Sequence, residues 1–423
     1  MPLKVSIVLF DNANAISGVS SWVQNIAPEL HKLGVHVDVH LLEEPGTIGF
    51  NRKHLQALNV PIKARIWQHD LKKDMRSCLE MAVESQVDVY IPNCILPAYY
   101  AAGFLRQMGV KTIGVLHADD KFYSTILDEF TGKHQMFQLD AVVAVSKELE
   151  KKALANRHHQ AVKVERIPCG IKVPEQAPTK AISPFRLVYT GRFVEEQKRI
   201  KLVTASFCKI TEQNTDTQGL LIGDGCALPD ITKILNRHPN ASVQILGKKS
   251  PREVHDILNT CTVFVLLSDY EGLPVSLMEA MGRGVIPVCF RCSGIAELVT
   301  HNKSGIILEN REDIYAAISD LIRNPEKART LAENTRRAIT QEYEITSTAK
   351  QWFNCFNNTT GHTLPLRIPV KLKLPHIPKV FREYTYPKIS VAQIKAAASR
   401  QLPGCYKTLK SVKLWLCGNQ EEP

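Results

Sequence analysis

The stretch of sequence that decides the fold reads SDYEGLPVSLMEAMGRGVIPVCF and spans residues 268–290. The apolar run TVFVLLS ends at Ser268, and the apolar run VIPVCF closes the stretch, so a buried strand is predicted on each side. Pro274 suits the first position of a helix between them, where no N–H donor is needed, and Gly284 is predicted to stop that helix. A strand, a helix and a second strand in this order predict a parallel α/β sheet.

Two carboxylates flank the predicted helix start, Glu271 in the loop before it and Glu279 inside the helix. A helix N-terminus at the carboxyl end of a parallel strand favours an anion, especially phosphate. Carboxylates repel phosphate, so we expect them to accept hydrogen bonds from hydroxyl groups attached to it. A ribose and a sugar at the two ends of a diphosphate meet this description. When Glu279 is considered without the other residues, it has a second interpretation, which is a first-turn glutamate that stabilises the helix dipole.

Two cations precede this stretch in the segment VYTGRFVEEQKRI, which contains Arg192 and Lys198. An arginine fork and a lysine point charge are suited to neutralise a transferring or leaving phosphate. Each alone is more typical of a solvated surface cation. Their coincidence with a helix start and paired glutamates favours a phosphate clamp.

The alternation of strands and helices extends outward over most of the chain, in two halves joined by a polar, proline-containing linker at residues 172–185. The strands predicted in the first half are KVSIVLF, VHVDVHLL, VDVYIPN, KTIGVLH, AVVAVS and VKVERIP, and those in the second half are RLVYTG, GLLIGDG, SVQILG, TVFVLLS, VIPVCF and GIIL. Two α/β halves of domain size predict a ligand cleft between them.

Composition excludes several classes of protein. The 423 residues are 44% apolar and 22% charged, and no apolar run reaches the 18 residues that a membrane span needs. The apolar run at residues 5–10 is too short for a signal peptide, so we expect a cytoplasmic protein. The eleven cysteines show no paired CxxC spacing and lie in apolar segments, which predicts buried free thiols.

The C-terminal tail carries most of the net charge of +11, because residues 361–423 hold eleven Lys or Arg against three acids, a net +8. This excess suggests an anionic partner surface, a membrane or a polyanion, or else a solvated appendage. Five prolines predict an extended arm at residues 364–388, and residues 405–417 predict a basic amphipathic helix suited to a membrane interface. The alternative is that the arm packs on the first domain. The basic segment at residues 51–76 is a further candidate for the acceptor side.

The central stretch also matches a known family. EGLPVSLMEAMGRGVIPV resembles the E-x7-E signature of the retaining glycosyltransferases of family four, and the TGR…K element before it is similar to that family's diphosphate clamp. RIPCGI, at residues 166–171, resembles the element ahead of the interdomain linker, and SGVSSWVQNIAPELHKLGVHV, at residues 17–37, resembles the first loop and helix. The resemblance covers residues 3–355.

This resemblance implies an α/β protein of the GT-B fold, with two Rossmann-like doubly wound domains facing a cleft. Residues 1–173 would form the acceptor-side domain and residues 184–342 the nucleotide-sugar domain. Residues 343–360 would form a helix that crosses back to the first domain. Residues 361–423 would be the basic, Pro-rich extension with its short amphipathic helix.

The resemblance also implies roles for individual residues. The donor would be a UDP- or GDP-linked sugar, with Glu279 on the ribose hydroxyls and Glu271 on the sugar hydroxyls. Arg192 and Lys198 would neutralise the diphosphate, and His117 would lie near the sugar and the acceptor. The catalytic residues would thus be Arg192, Lys198, Glu271 and His117. The other donor-binding positions would be Gly18, Val19, Gly223, Asp224, Leu246, Gly247, Gly272, Leu273, Pro274 and Val275.

No metal ion and no other cofactor is expected. HADD, at residues 117–120, places two acids beside one histidine, which is not a complete ligand set. The sequence departs from the family pattern at Ser17, at the EGLP element and at Cys169, and none of these departures removes a charged clamp residue.

The predicted activity is hexosyltransferase-type transfer from a nucleotide sugar to a glycan or lipid-linked acceptor, with bacterial lipopolysaccharide or capsule assembly as a setting. Family resemblance implies retention of the anomeric configuration, and attack from the leaving-group face is preferred because no carboxylate nucleophile can be identified. Two alternatives stay open: a GT-B nucleotide-sugar epimerase and a non-catalytic scaffold that binds nucleotide sugar or glycan. A dehydrogenase is disfavoured, since no GxGxxG follows a strand, and no nucleic-acid partner is expected.

Overall fold

The computed structural model describes residues 2–13, 15, 17–46, 48–178, 184–360 and 377–381. The chain forms two compact units, of residues 1–376 and 377–423. In the second unit, residues 379–381 form a helical turn in which the N–H of Phe381 donates to the carbonyl of Pro378 at 3.1 Å. The prediction of an extended arm is therefore wrong at these three residues. A helical turn can form here because a proline is tolerated at the start of such a turn. The predicted amphipathic helix at residues 405–417 lies outside the described residues.

The first half of unit one, called the N-lobe, is built on a seven-stranded parallel sheet of order β3-β2-β1-β4-β5-β6-β7. Its strands are β1 (Lys4–Asp11), β2 (His36–Glu43), β3 (Ile62–Ile66), β4 (Val89–Ile91), β5 (Lys111–Leu116), β6 (Ala141–Ala144) and β7 (Lys163–Arg166). Its helices are α1 (Gly18–Lys32), α2 (Phe50–Ala57), α3 (Leu71–Ser85), α4 (Leu96–Gln107), α5 (Lys121–Asp128) and α6 (Lys147–Asn156). The six strands predicted from apolar runs are therefore confirmed in this lobe, whereas β3 was not predicted.

The second half, called the C-lobe, is built on a six-stranded parallel sheet of order β10-β9-β8-β11-β12-β13. Its strands are β8 (Phe185–Thr190), β9 (Thr217–Ile222), β10 (Val243–Gly247), β11 (Val263–Leu266), β12 (Ile286–Phe290) and β13 (Ile306–Leu308). The helices that follow β8 are α7 (Glu195–Lys198), α8 (Ile200–Gln213), α9 (Leu228–Asn236), α10 (Pro251–Leu258), α11 (Val275–Met281), α12 (Ser293–Leu298), α13 (Ile314–Arg323), α14 (Pro325–Glu342) and α15 (Ile345–Asn358).

The central stretch folds as the predicted strand, helix and strand, which are β11, α11 and β12. Pro274 has ψ of 104°, which is extended, so it is the N-cap and the helix begins one residue later than predicted. The helix ends at Met281 with Gly282 as its C-cap, before Gly284. Gly284 adopts φ of +66°, a left-handed conformation that turns the chain into β12 and that favours glycine.

The two lobes are joined where the chain crosses between them twice. At the crossings, the N–H of Ile171 donates to Tyr343 at 2.9 Å, and the N–H of Ile345 donates to Ile171 at 3.0 Å. A Cβ at Gly170 would lie 2.6 Å from Thr348 Oγ1, so only glycine lets the crossings approach this closely. After the second crossing, α15 packs against α1 of the N-lobe.

Two further observations bear on the composition. None of the helices in the described parts of the chain is both long and apolar enough to cross a membrane. None of the cysteines in the described residues forms a disulfide, and Cys208, Cys261 and Cys289 are buried as predicted. Cys226 is exposed, because it lies in the loop after β9 rather than in an apolar segment.

Candidate functional site

The candidate site lies where loops at the carboxyl ends of strands from the two lobes meet. A Cβ at Gly272, after β11, would lie only 1.9 Å from the carbonyl oxygen of His117, after β5. A Cβ at Gly18, the first residue of α1, would lie 3.8 Å from Val275 Cγ2, at the start of α11. The starts of α1 and α11 therefore face each other across the cleft between the lobes.

The two opposed helix starts make this part of the cleft favourable for an anion. The first N–H groups of a helix have no acceptor inside the helix, and the helix dipole adds partial positive charge there. Ser17 caps α1 by accepting from the N–H of Ser20 at 3.2 Å, whereas α11 begins at Pro274 without a side-chain cap. Neither helix has an acidic residue in its first turn, which leaves the positive potential uncompensated.

The predicted residues Lys198 and Glu271 form an ion pair. Lys198 ends α7, and its Nζ lies 2.5 Å from Oε1 of Glu271. The two side chains are only 14% and 8% exposed. Because Ser293 Oγ donates to the carbonyl of Glu271 at 2.8 Å, the start of α12 also holds this loop in place.

Arg192 is oriented by a residue that the sequence analysis missed. Its Nη2 donates to Oε1 of Gln197 at 2.8 Å, and the amide of Gln197 in turn donates to the carbonyl of Tyr270 at 3.1 Å. Gln197 is buried and links the arginine to the loop that carries Glu271. The only signal for it in the sequence is its position beside Lys198. Across the cleft, burial raises the pKa of Asp120, while the charge of Arg192 acts in the opposite sense.

His117 faces the cleft with its backbone, and its imidazole is held by the N-lobe. Its Nε2 lies 2.7 Å from Oδ1 of Asn93, and its ring packs edge-on against Trp22, with the centroids 5.1 Å apart. Burial lowers the pKa of His117 to about 3, so the imidazole is neutral near pH 7. Its carbonyl is the atom that approaches Gly272. Asn93 and Trp22 were not predicted, although Asn93 is the first strongly polar residue after β4.

Glu279 lies on α11, and its carboxylate faces α10. It is the fifth residue of α11, so the alternative interpretation as a first-turn glutamate is wrong. Its Oε1 lies 3.5 Å from Nε2 of His255, and its side chain is 16% exposed. Its backbone carbonyl accepts from Nη1 of Arg283 at 3.0 Å. Glu271 thus lies in the loop before α11, whereas Glu279 lies within the helix. The two carboxylates therefore occupy separate parts of the site.

Four of the predicted donor-binding residues come together at the carboxyl ends of β9 and β10. They are Gly223, Asp224, Leu246 and Gly247. The N–H of Gly223 donates to the carbonyl of Gly247 at 2.9 Å, and Leu246 precedes Gly247 in β10. A Cβ at Gly223 would lie 1.9 Å from the carbonyl oxygen of Gly191, so the loops can approach only because this residue is glycine. Asp224 lies 3.1 Å from Lys248, whose hydrogen bond lowers the pKa of Asp224.

The acids after His117 serve the local structure. Asp119 pairs with Lys152, and Asp120 caps α5 by accepting from the N–H of Tyr123 at 3.0 Å. Among the residues that the structure describes, no group of three or more His, Cys, Asp or Glu is arranged to hold a metal ion.

The two Rossmann-like lobes and the cleft between them define the GT-B class of transferases. The family model for Glycosyltransferase Family 4 matches residues 16–174, and that for Glycosyl transferases group 1 matches residues 175–338. The chain belongs to these glycosyltransferases, which confirms the predicted family, fold and transferase activity.

Of three proteins of similar sequence, two are named glycosyltransferases and one is named a synthase. An uncharacterised glycosyltransferase of Methanocaldococcus jannaschii is 23% identical over 329 residues, which cover 75% of this chain and 88% of that protein. N-acetyl-alpha-D-glucosaminyl L-malate synthase of Bacillus anthracis is 25% identical over 300 residues, 64% of this chain and 75% of that protein. The colanic acid biosynthesis glycosyltransferase WcaL of Escherichia coli is 27% identical over 251 residues, 55% of this chain and 61% of that protein.

Two solved structures share the fold. TarM of S. aureus, in a complex that contains UDP, aligns with a TM-score of 0.69 at 14% identity, covering 84% of this chain and 100% of that chain. HepE of Anabaena, in complex with UDP and glucose, aligns with a TM-score of 0.68 at 15% identity, covering 84% and 99%. At these identities the likeness establishes the GT-B fold.

Proposed function

We propose that this glycosyltransferase moves a sugar from a UDP- or GDP-linked donor to a glycan or lipid-linked acceptor and retains the anomeric configuration. The observation that carries the proposal is the meeting of two helix starts, α1 and α11, beside the buried pair of Lys198 and Glu271. A diphosphate would receive N–H groups from both lobes, and Arg192 and Lys198 would balance its charge. Glu271 and Glu279 would accept hydrogen bonds from sugar and ribose hydroxyls.

The remaining predicted positions have consistent places in this proposal. Gly18 and Val19 would approach the diphosphate from the N-lobe, and the backbone from Gly272 to Val275 would approach it from the C-lobe. The base would lie near Gly223, Asp224, Leu246 and Gly247. UDP in the solved complexes of TarM and HepE supports a UDP-linked donor, and the relatives named for colanic acid and amylovoran biosynthesis support a polysaccharide setting. The lipopolysaccharide galactosyltransferase WaaB, similar in fold, supports a related setting.

The proposed chemistry needs no protein nucleophile. The acceptor oxygen would form its bond to the anomeric carbon on the same face from which the diphosphate oxygen departs. The acceptor proton would go to a phosphate oxygen, while Lys198 and Arg192 stabilise the negative charge that develops on the leaving group. The carbonyl of His117 packs against Gly272, so His117 would border the donor sugar through its backbone rather than its imidazole. No metal ion has a role in this proposal.

Ligand binding and turnover test the proposal directly. We expect UDP or GDP to raise the melting temperature by several degrees at saturating concentration, because a ligand that binds only the folded state stabilises it. Donor sugar should then appear on an added glycan acceptor. Conversion of the donor alone would favour the epimerase, and binding without turnover would favour the scaffold. Absence of binding by either nucleotide would refute the proposal.

The basic tail motivates a second part of the proposal, which is contact with an anionic membrane on the cytoplasmic face. The net +8 of residues 361–423 supports it. Flotation with vesicles that contain anionic lipid should recover the full chain more strongly than a chain ending at Thr360. Equal recovery of the two would exclude a role for the tail in membrane contact.

A further inference from the structure

Among the described residues, the imidazole of His255 is the group that lies within ion-pair distance of the Glu279 carboxylate. His255 lies on α10 and Glu279 on α11, and the two helices pack together. Their closest approach, from Nε2 to Oε1, is 3.5 Å. In the described residues no other ion-pair or hydrogen-bond partner lies within contact distance of the Glu279 carboxylate. Arg283 donates to the backbone carbonyl of Glu279 and acts on the carboxylate only through its charge. The direct contact that can orient this carboxylate is therefore the one with His255.

The ring nitrogen that faces Glu279 is buried and has no hydrogen-bond partner. A buried donor or acceptor without a partner costs free energy, and native structures avoid it unless the group has a use. At 3.5 Å, the two atoms lie just beyond the usual range for a direct N–H···O bond. A shift of a few tenths of an ångström in the glutamate side chain would complete the bond.

The position of His255 is well defined by its helix. The start of α10 is held by a reciprocal cap, in which the N–H of Ser250 donates to Glu253 at 2.8 Å and the N–H of Glu253 donates to Ser250 Oγ at 3.3 Å. Leu258, one turn after His255, is buried in the lobe. The imidazole is therefore presented to α11 from a fixed base, whereas the longer glutamate side chain can move.

We propose that His255 is a positioning residue for the donor's ribose. Its Nε2–H holds one oxygen of Glu279, so that the other oxygen is aimed at the ribose hydroxyls before the donor arrives. Fixing the rotamers in advance lowers the entropy that binding must remove. This inference rests on the proposed function, since it assumes that Glu279 binds the ribose of a nucleotide sugar.

Two substitutions separate positioning from packing. H255L introduces an apolar side chain of similar size that has no hydrogen-bond donor. H255Q instead places an amide N–H near the position of Nε2. Calorimetric titration with UDP, or with GDP if it binds the wild type more tightly, should show about tenfold weaker binding to H255L. H255Q should stay within about threefold of the wild type. Melting temperatures of both variants report whether the fold is intact.

The same titrations with altered ligands identify the contact. The 2′,3′-dideoxynucleoside diphosphate and inorganic pyrophosphate lack the ribose hydroxyls, so H255L should bind each of them as the wild type does. H238L is the matched control, because His238 faces Glu212 at 3.1 Å on the surface of the same lobe. It should bind all the ligands normally.

Three results would overturn the inference: unchanged nucleotide binding by H255L, an equal loss with the dideoxy ligand, or a loss in H255Q as large as that in H255L. Each leaves the proposed function standing if the wild type binds and turns over its donor. Failure of the wild type to bind UDP or GDP would instead refute the proposed function, and the inference with it.

Discussion

The ammonium nitrogen of Lys198 lies 2.5 Å from Oε1 of Glu271, and the pair is almost fully buried at the mouth of the cleft. Each partner neutralises the other while no donor is bound. The proposed donor offers a better partner to each, a diphosphate for the lysine and sugar hydroxyls for the glutamate. Donor binding would therefore exchange one buried ion pair for two ligand contacts. Removing a single partner leaves a buried charge unpaired, which is costly in itself.

Replacement of Lys198 by methionine should slow transfer more than it weakens donor binding. The negative charge on the diphosphate grows as the bond to the sugar breaks, so the lysine interacts most strongly in the transition state. We expect kcat to fall by about 10²–10³ and nucleotide affinity by about tenfold or less. Steady-state kinetics and calorimetry measure the two effects.

The matched control for this substitution is K201M. Lys201 lies on the same side of the C-lobe, but its ammonium is 3.8 Å from the exposed Asp230 and faces solvent. Its loss should leave kcat within about twofold, as is usual for surface charges. Equal effects of K198M and K201M would remove Lys198 from the clamp.

Gly272 should tolerate no side chain if the lobes must close on each other. A Cβ at this position would lie 1.9 Å from the carbonyl oxygen of His117 and 3.0 Å from the Cα of Ala118, both in the opposite lobe. G272A should therefore keep the melting temperature of the C-lobe but hold the lobes apart. We expect a larger radius of gyration in small-angle scattering and a loss of turnover of at least tenfold. Wild-type turnover in G272A would show that this approach is not needed for activity.

A second contact between the lobes predicts a measurable loss of stability. Glu297 of α12 pairs with Arg166 of β7 at 2.5 Å and accepts from the N–H of Lys147, at the start of α6, at 2.7 Å. The glutamate side chain is only 6% exposed. E297A leaves the N–H and the guanidinium without this partner, so the melting temperature should fall by about 2–4 °C.

The control for E297A is E309A, since Glu309 pairs with Arg291 at the same distance of 2.5 Å but is largely exposed. Exposed pairs contribute little, so its melting temperature should change by less than about 1 °C. A fall in E309A as large as that in E297A would show that burial does not decide the strength of these pairs.

Twelve of the thirteen strands in the described part of the chain were predicted from the sequence, because parallel strands buried on both faces leave apolar runs that glycine and proline interrupt. The exception is β3, an edge strand of sequence IKARI that is only partly buried and contains no such run. The charged residues of the cleft were predictable because they follow such runs at the carboxyl ends of β5, β8 and β11. The partners that orient them were not. Lys198 and Glu271 are separated by 73 positions, and Gln197, Asn93 and His255 are polar residues on ordinary helices or loops. Their roles depend on packing between distant segments, which no local pattern contains.

The buried histidine His40 predicts how stability depends on pH. It lies in β2 with no exposed surface, its Nε2 is 3.1 Å from Ser85 Oγ, and burial lowers its pKa to about 3. In the unfolded chain a histidine titrates near pH 6.5. Below that pH the unfolded chain binds a proton that the folded chain does not, so the free energy of unfolding falls as the pH drops from about 6.5 towards 3. One such group contributes at most about 1.4 kcal/mol per pH unit.

Replacing His40 by glutamine removes this proton and should reduce the slope of melting temperature against pH between 6.5 and 4.5. The slope should not vanish, because burial also lowers the pKa of His117 to about 3. H40Q will also cost stability at pH 7.5, because it disturbs a packed site, so the slope is the quantity to compare rather than the absolute value. H159Q is the control for the substitution itself, since it makes the same change at an exposed histidine. A slope in H40Q equal to that of the wild type would mean that His40 takes up its proton in the folded protein as readily as in the unfolded chain.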